Sequence, residues 1–220
     1  MSLKIILTTI AILNTGSAID MSAWNDRLAG LIYGWVWRTI RGFEALTDII
    51  TGKVTPSGKL PMTIEKTFED SPAWGYLPKG ASLYNELKNE HLINVYDVNY
   101  GESVLVGYRW YDTKNIEPLY PFGYGLSYTT FTLTKPRLSS KKMNDQMIRC
   151  SVTITNTGSQ KGAEVIQLYL KENQPSVLRP EKELKRFKKI FLNSGENQTV
   201  EFEITPEIWL SGMMKRMIGK

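Results

Sequence analysis

The chain is poor in the two side chains that most often build covalent or metal frameworks, with one cysteine, Cys150, and one histidine, His91, among its 220 residues. A single thiol excludes an intramolecular disulfide, and one histidine beside one cysteine excludes a Cys/His metal cluster. Long apolar runs are lacking too. The longest, Ile5 to Leu13, is too short to span a bilayer, so no transmembrane helix is expected. No repeat recurs at a fixed period, and no segment is of low complexity. The net charge of +5, with an isoelectric point near 9.1, is only mildly basic. Much of the excess sits between Arg179 and Lys189, where Glu181 and Glu183 interrupt it. That reads as a solvated face, because nucleic-acid binding needs a clustered basic groove and a binding motif.

What is present suffices for a globular protein: 42% hydrophobic and 22% charged residues fit one large or two small domains. The apolar residues before Asn14-Thr15-Gly16 have two readings, a short signal peptide led by Lys4 or a buried parallel strand ended by a turn. Asp20-Met21-Ser22 offers helix-capping chemistry ahead of Ala23 to Arg27 and the mixed apolar stretch Leu28 to Trp37. Phe43, Leu46, Ile49 and Ile50 fall at helical spacing, with Gly52 where a C-cap belongs. Thr55 to Pro61 is a tight turn feeding extended chain, since Pro61 forbids helix. The pattern is β-α-α-turn-β, a slice of an α/β layered domain.

From Glu65 to Tyr120 the pattern weakens into a long connection rich in Tyr, Trp, Asn and Asp, with one alternating segment, Ser103 to Tyr111. The last third alternates at period two: Met147 to Thr155, Val165 to Lys171, Leu184 to Leu192 and Thr199 to Thr205 read as strands between turn clusters, an all-β sandwich.

Four stretches go further. They are Leu13 to Met21, with Asn14-Thr15-Gly16-Ser17 after a strand; Thr55-Pro56-Ser57-Gly58-Lys59-Leu60-Pro61; Val106-Gly107-Tyr108-Arg109-Trp110-Tyr111-Asp112; and Tyr120-Pro121-Phe122-Gly123-Tyr124-Gly125-Leu126-Ser127-Tyr128-Thr129-Thr130-Phe131. In this order they resemble the C-terminal part of glycoside hydrolase family 3, the β-glucosidase and β-xylosidase type enzymes, from about Leu3 to about Pro206. The match runs unbroken through Asn14 to Ser17, where a signal peptide would be cut, and so favours the strand. The resemblance implies an α+β chain: the end of an α/β sandwich domain over 1–64, an aromatic-rich connection over 65–127, and an all-β fibronectin type III-like sandwich over 128–206. That sandwich contains Val152 to Asn156, Glu164 to Leu170 and Glu183 to Phe187, and 207–220 is an atypical tail.

Such enzymes hydrolyse glycosides with retention, through two carboxylates roughly 5 to 5.5 Å apart. The resemblance implies that the nucleophilic Asp belongs to an N-terminal barrel this chain lacks, and that in many members the acid/base Glu lies upstream as well. No catalytic residue, metal or cofactor is therefore assigned. The expectation is a fragment of a retaining β-glycosidase, inactive alone and acting on a β-linked saccharide only when an upstream barrel-containing chain complements it. The alternative is a non-catalytic carbohydrate- or protein-binding sandwich. A third reading is a remnant without function.

Asp20, Asp26, Glu44, Asp48, Glu102 and Asp112 are carboxylates by type, but their spacing gives no reason to set two across a glycosidic bond. They read as surface charge, caps or turns. Glu102 stands out, because Tyr100-Gly101-Glu102 matches a Tyr-x-Glu step before the Gly-Tyr-Arg segment; beside Arg109 it would form a strong pair. Glu102, Arg109 and Trp110 are the candidates for substrate binding. Trp74, Tyr76, Tyr84, Tyr100 and Tyr111 could also stack on a sugar, although packing is the commoner use of such rings. Gly123, Gly125 and Pro121 read as backbone geometry. Two stretches depart from the family. Trp35 to Phe43 replaces a glycine-rich loop with bulky and basic residues, and the sequence past Pro206 neither alternates nor closes a sheet, as out-of-frame stretches in a once complete gene would look.

Overall fold

The computed structural model describes residues 9–35, 40–75, 100–142 and 147–210. They belong to two compact units, one built from Met1–Trp37, Pro61–Gly123 and Gln174–Glu181, the other from Arg38–Leu60, Tyr124–Asn173 and Lys182–Lys220. Together they form the α+β chain expected, an α/β segment followed by a β-sandwich.

In the first unit, β1 (Ile10–Leu13) pairs in parallel with β2 (Gly30–Tyr33), Ile10 opposite Gly30 and Leu13 opposite Tyr33. A parallel pair needs a long crossover. Here it carries a turn in which Asp20 Oδ1 accepts from the Ser22 N–H (2.9 Å) and hydroxyl (2.6 Å), then a single 3-10 turn, Asn25–Arg27. The Asp20-Met21-Ser22 segment thus closes a local turn rather than capping an α-helix, and Leu28 to Trp37 holds a strand, which corrects the first helix of the β-α-α reading. Ile5 to Thr8 lies outside the described residues. Further on, Phe68–Asp70 makes a 3-10 turn whose Thr67 and Asp70 cap each other, and α2 (Tyr108–Lys114) ends at Asn115 in the left-handed conformation. The Ser103 to Tyr111 alternation therefore resolves into a turn followed by a helix. Alternation over a few residues cannot separate the two once long-range contacts decide.

The second unit holds α1 (Ile40–Ile50) and the sandwich. Gly52 has φ +75° and its N–H bonds the Ile49 carbonyl at 3.0 Å, the cap its position required. β3 (Phe131–Leu133) and β4 (Arg137–Leu138) line one edge of β5 (Ile148–Asn156), and β8 (Asn197–Ile204) runs antiparallel along the other. The second sheet is β6 (Gly162–Leu170) antiparallel to β7 (Glu183–Leu192), with a register shift between Leu168 and Tyr169. Ile154 and Val200 of the first sheet are fully buried, and with Phe202 they pack on Ile166, Ile190 and Leu192 of the second. A smaller cluster joins Ile148, Cys150 and Ile204. Period-two alternation produces both, because it turns every other side chain inward. The chain closes with α3 (Pro206–Leu210).

The Thr55 to Pro61 turn is held within this unit. Lys59 Nζ donates to the Gly125 carbonyl (2.6 Å) and pairs with Glu164 (2.8 Å), while the Leu60 N–H bonds the Tyr124 carbonyl at 2.8 Å. A Cβ on Gly125 would lie 2.2 Å from the Gly58 carbonyl oxygen, so glycine is required there by close approach. The expectation that Gly125 serves backbone geometry has this as its physical basis.

Candidate functional site

The first unit contains a cavity of about 490 Å³. Its framework is one antiparallel bridge: the Ile64 N–H bonds the Tyr120 carbonyl (2.8 Å), and the Tyr120 N–H returns to the Ile64 carbonyl (3.1 Å). Extended backbone sends successive side chains to opposite faces. Ile64 is buried at 1% exposure, and its neighbours Thr63 and Glu65 line the cavity. From α2 come Tyr108, Arg109 and Tyr111, and just past Tyr120 comes Phe122. The rings of Tyr108 and Phe122 lie 5.0 Å apart, tilted by 33°.

Two polar features set the chemistry. The Tyr111 hydroxyl donates to Glu65 Oε2 at 3.3 Å, and burial, followed by the charge of Glu65, pushes its pKa far above the usual tyrosine value. Tyr111 is thus a fixed donor at ordinary pH. Thr63 Oγ1 is buried and makes no hydrogen bond among the described residues. Buried hydroxyls are normally satisfied, and one that is not calls for an explanation. Among the described residues the lining holds one carboxylate, Glu65, and one guanidinium, Arg109.

Of the expected residues, Arg109 and Tyr111 reach this cavity. Trp110, one position away on α2, instead donates its indole N–H to the Asp70 carbonyl (3.1 Å) and lies under Lys114 Nζ at 5.1 Å from the ring centre. Glu102 sits half-buried in the turn before α2, where its carbonyl accepts from the Leu105 N–H (3.0 Å), and no ion pair joins it to Arg109 among the described residues. Trp74 packs edge-on against Phe68, and Tyr100 is exposed. Tyr76 and Tyr84 lie outside the described residues. The candidate carboxylates serve local structure where their partners are seen. Asp20 closes its turn, with those hydrogen bonds from Ser22 holding its carboxyl below the usual range, and Asp48 pairs with Lys53 at 2.9 Å. Sequence reading passed over Thr63 and Glu65 because the residues lining the cavity opposite them, Tyr108 to Tyr111 and Phe122, lie some fifty residues away and are brought near by the Ile64–Tyr120 bridge.

Comparison with known proteins assigns both the α/β segment and the sandwich that follows it to described domains. Residues 4–128 match the glycosyl hydrolase family 3 C-terminal domain, and residues 164–210 match the fibronectin type III-like domain. The chain belongs to glycosyl hydrolase family 3, as a C-terminal part. It is 43% identical over 209 residues to beta-glucosidase BoGH3A of Bacteroides ovatus, covering 93% of this chain and 26% of that protein. With thermostable beta-glucosidase B of Acetivibrio thermocellus the identity is 39%, covering 89% of this chain and 24% of the relative. Among solved structures, beta-glucosidase 3B from Thermotoga neapolitana in complex with glucose superposes with a TM-score of 0.78 at 36% identity, over 90% of this chain and 26% of that one. The chain thus spans about a quarter of the length of the curated relatives it matches.

Proposed function

We propose that this chain is the C-terminal portion of a retaining β-glycosidase, acting in hydrolysis of O-glycosyl bonds of a β-linked saccharide only together with a barrel that supplies the nucleophilic Asp, and inactive by itself. The observation that carries this reading is coverage: relatives named as β-glucosidases match nearly the whole chain, yet the chain spans only about a quarter of them. The carboxyls of Asp20, Glu117 and Glu207 are each held below the ordinary range, chiefly by hydrogen bonds from Ser22, Lys66 and Thr205, which is the opposite of a general acid.

The test is release of nitrophenol from nitrophenyl β-glucoside and β-xyloside by the purified chain, with and without a separately produced barrel-containing portion of a relative, and with intrinsic fluorescence as a check on folding. No turnover alone and turnover on mixing are the expected results. Turnover by the chain alone would sink the claim of inactivity.

A second reading, a non-catalytic binding sandwich, draws support from the outward face of β7. Phe187 and Phe191 are 69% and 73% exposed there, with Lys189 Nζ 5.5 Å from the Phe191 ring centre. Exposed aromatic rings beside cations are a usual feature of binding faces.

A further inference from the structure

We propose that the outward face of the β6–β7 sheet is a docking surface for an anionic polysaccharide, a linear chain of uronate residues. The proposal rests on the reading of the sandwich as a binding module and names its ligand; the hydrolytic reading is independent of it.

The face follows from the register. Ile190 and Leu192 of β7 are each 3% exposed and pack on the other sheet, so the alternate residues Phe187, Lys189 and Phe191 turn away from it. On β6 the same side carries Gln167, opposite Phe187, and Tyr169, whose hydroxyl donates to Gln167 Oε1 at 2.6 Å. An ammonium group stands beside a ring at both ends. Lys189 Nζ lies 5.5 Å from the Phe191 ring centre, and Lys182 Nζ lies 5.5 Å from that of Tyr169. The rings form a row along the strands rather than a pocket, with Phe187 and Phe191, four residues apart, separated by about 13 Å. A row of that kind fits an extended polymer.

Charge selects the sign of the polymer. From Lys182 to Phe191 there are five cations and one carboxylate, Glu183, a net of +4 against +5 for the whole chain. The first sheet is the opposite, since Glu201 and Glu203 lie on the outward phase of β8. Charge of one sign gathered on one face raises the local concentration of the other sign. The side chains select the polymer's chemistry. Phosphate is held best by arginine forks, but Arg186 falls on the alternate phase, opposite the core residue Leu168, and the outward phase of β7 carries lysine. A carboxylate suits lysine as well as it suits arginine's point charge. The faces of a pyranose present C–H groups to the electron-rich faces of Phe187 and Phe191, and a uronate adds the carboxylate for Lys189.

The test is calorimetric titration of the whole chain with polygalacturonate, dextran, polyuridylate and phosphatidylserine vesicles. Polygalacturonate is expected to bind at least tenfold more tightly than the other three, and to weaken as sodium chloride is raised. Phe187→Ala and Phe191→Ala should each weaken it a few-fold, and Lys189→Glu about tenfold. Arg149→Glu makes the same change of net charge on an exposed residue of β5 and should leave binding nearly unchanged. All four positions are exposed, so the variants should fold as the parent does. Equal losses from R149E and K189E overturn the proposal, because bulk charge would then account for the binding. Dextran, polyuridylate or vesicles bound as tightly as polygalacturonate, with the binding weakened by F187A, overturn it as well and leave the binding-module reading standing. No binding of any of the four by the folded chain removes both.

Discussion

Asn156, at the end of β5, has no solvent exposure, and both ends of its amide are used. Its Oδ1 accepts from the Thr129 hydroxyl (2.8 Å) and the Gly158 N–H (3.1 Å), while Nδ2 donates to the carbonyls of Gln160 (2.8 Å) and Leu192 (3.2 Å). One side chain thereby ties the turn after β5 to the end of β7. Asn156→Ala leaves several buried groups unpaired at once and is expected to cost about 3 kcal/mol, read as a lower urea midpoint at unchanged slope. In the sequence this residue was legible only as the end of the segment Val152 to Asn156, because a side chain's partners 27 and 36 positions away leave no local pattern.

Tyr111 is the other residue whose setting carries a measurable consequence. Its folded-state pKa lies above the unfolded one near 10, so the native state holds the phenol proton more tightly. Stability from this group is fully present below about pH 10 and is lost as pH rises through the higher folded value. Chemical denaturation between neutral pH and pH 11 should show a progressive loss, and Tyr111→Phe should flatten it. An equal alkaline loss in the variant would assign the effect to other groups.

At the scale of elements, the legible pieces were those with an unbroken period. β5, β6, β7 and β8 follow the alternation of apolar residues closely, and α1 follows the spacing of Phe43, Leu46, Ile49 and Ile50. β2 was hidden because Leu28 to Trp37 is apolar on both phases of any period, and α2 because a short alternating run precedes and overlaps it. The β1–β2 pair is the weakest element by its surroundings. Parallel strands are ordinarily covered on both faces, yet Ile10 and Ile12 are 48% and 42% exposed, and the sheet has two strands among the described residues. Exposed apolar strand surface of this kind drives association. The chain is therefore expected to bind the dye ANS and to scatter more light as its concentration rises, and Ile12→Lys should reduce both. Unchanged dye binding and scattering in that variant would place the apolar surface elsewhere.

Across the whole molecule, the packed core is unevenly distributed. The cluster of Ile154, Ile166, Ile190, Leu192, Val200 and Phe202 belongs to the sandwich, and the largest buried side chains include two of its members. Local openings are rarest where apolar burial and backbone pairing coincide. Hydrogen exchange should find the slowest amides in the centres of β5 and β8 and fast exchange in β1 and β2. Comparable protection in all four strands would contradict this distribution.

The sequence by itself determined the family, through four ordered motifs, and the sandwich strands, because both are written in short-range patterns of residue type and period. Only the tertiary structure decided where the chemistry gathers. Thr63, Glu65, Tyr111 and Phe122 meet because the Ile64–Tyr120 bridge closes a loop of some fifty residues, and Asn156 finds its partners because two sheets stack. A contact across such a span is fixed by the folded path of the chain, which leaves no trace in the spacing of neighbouring residues.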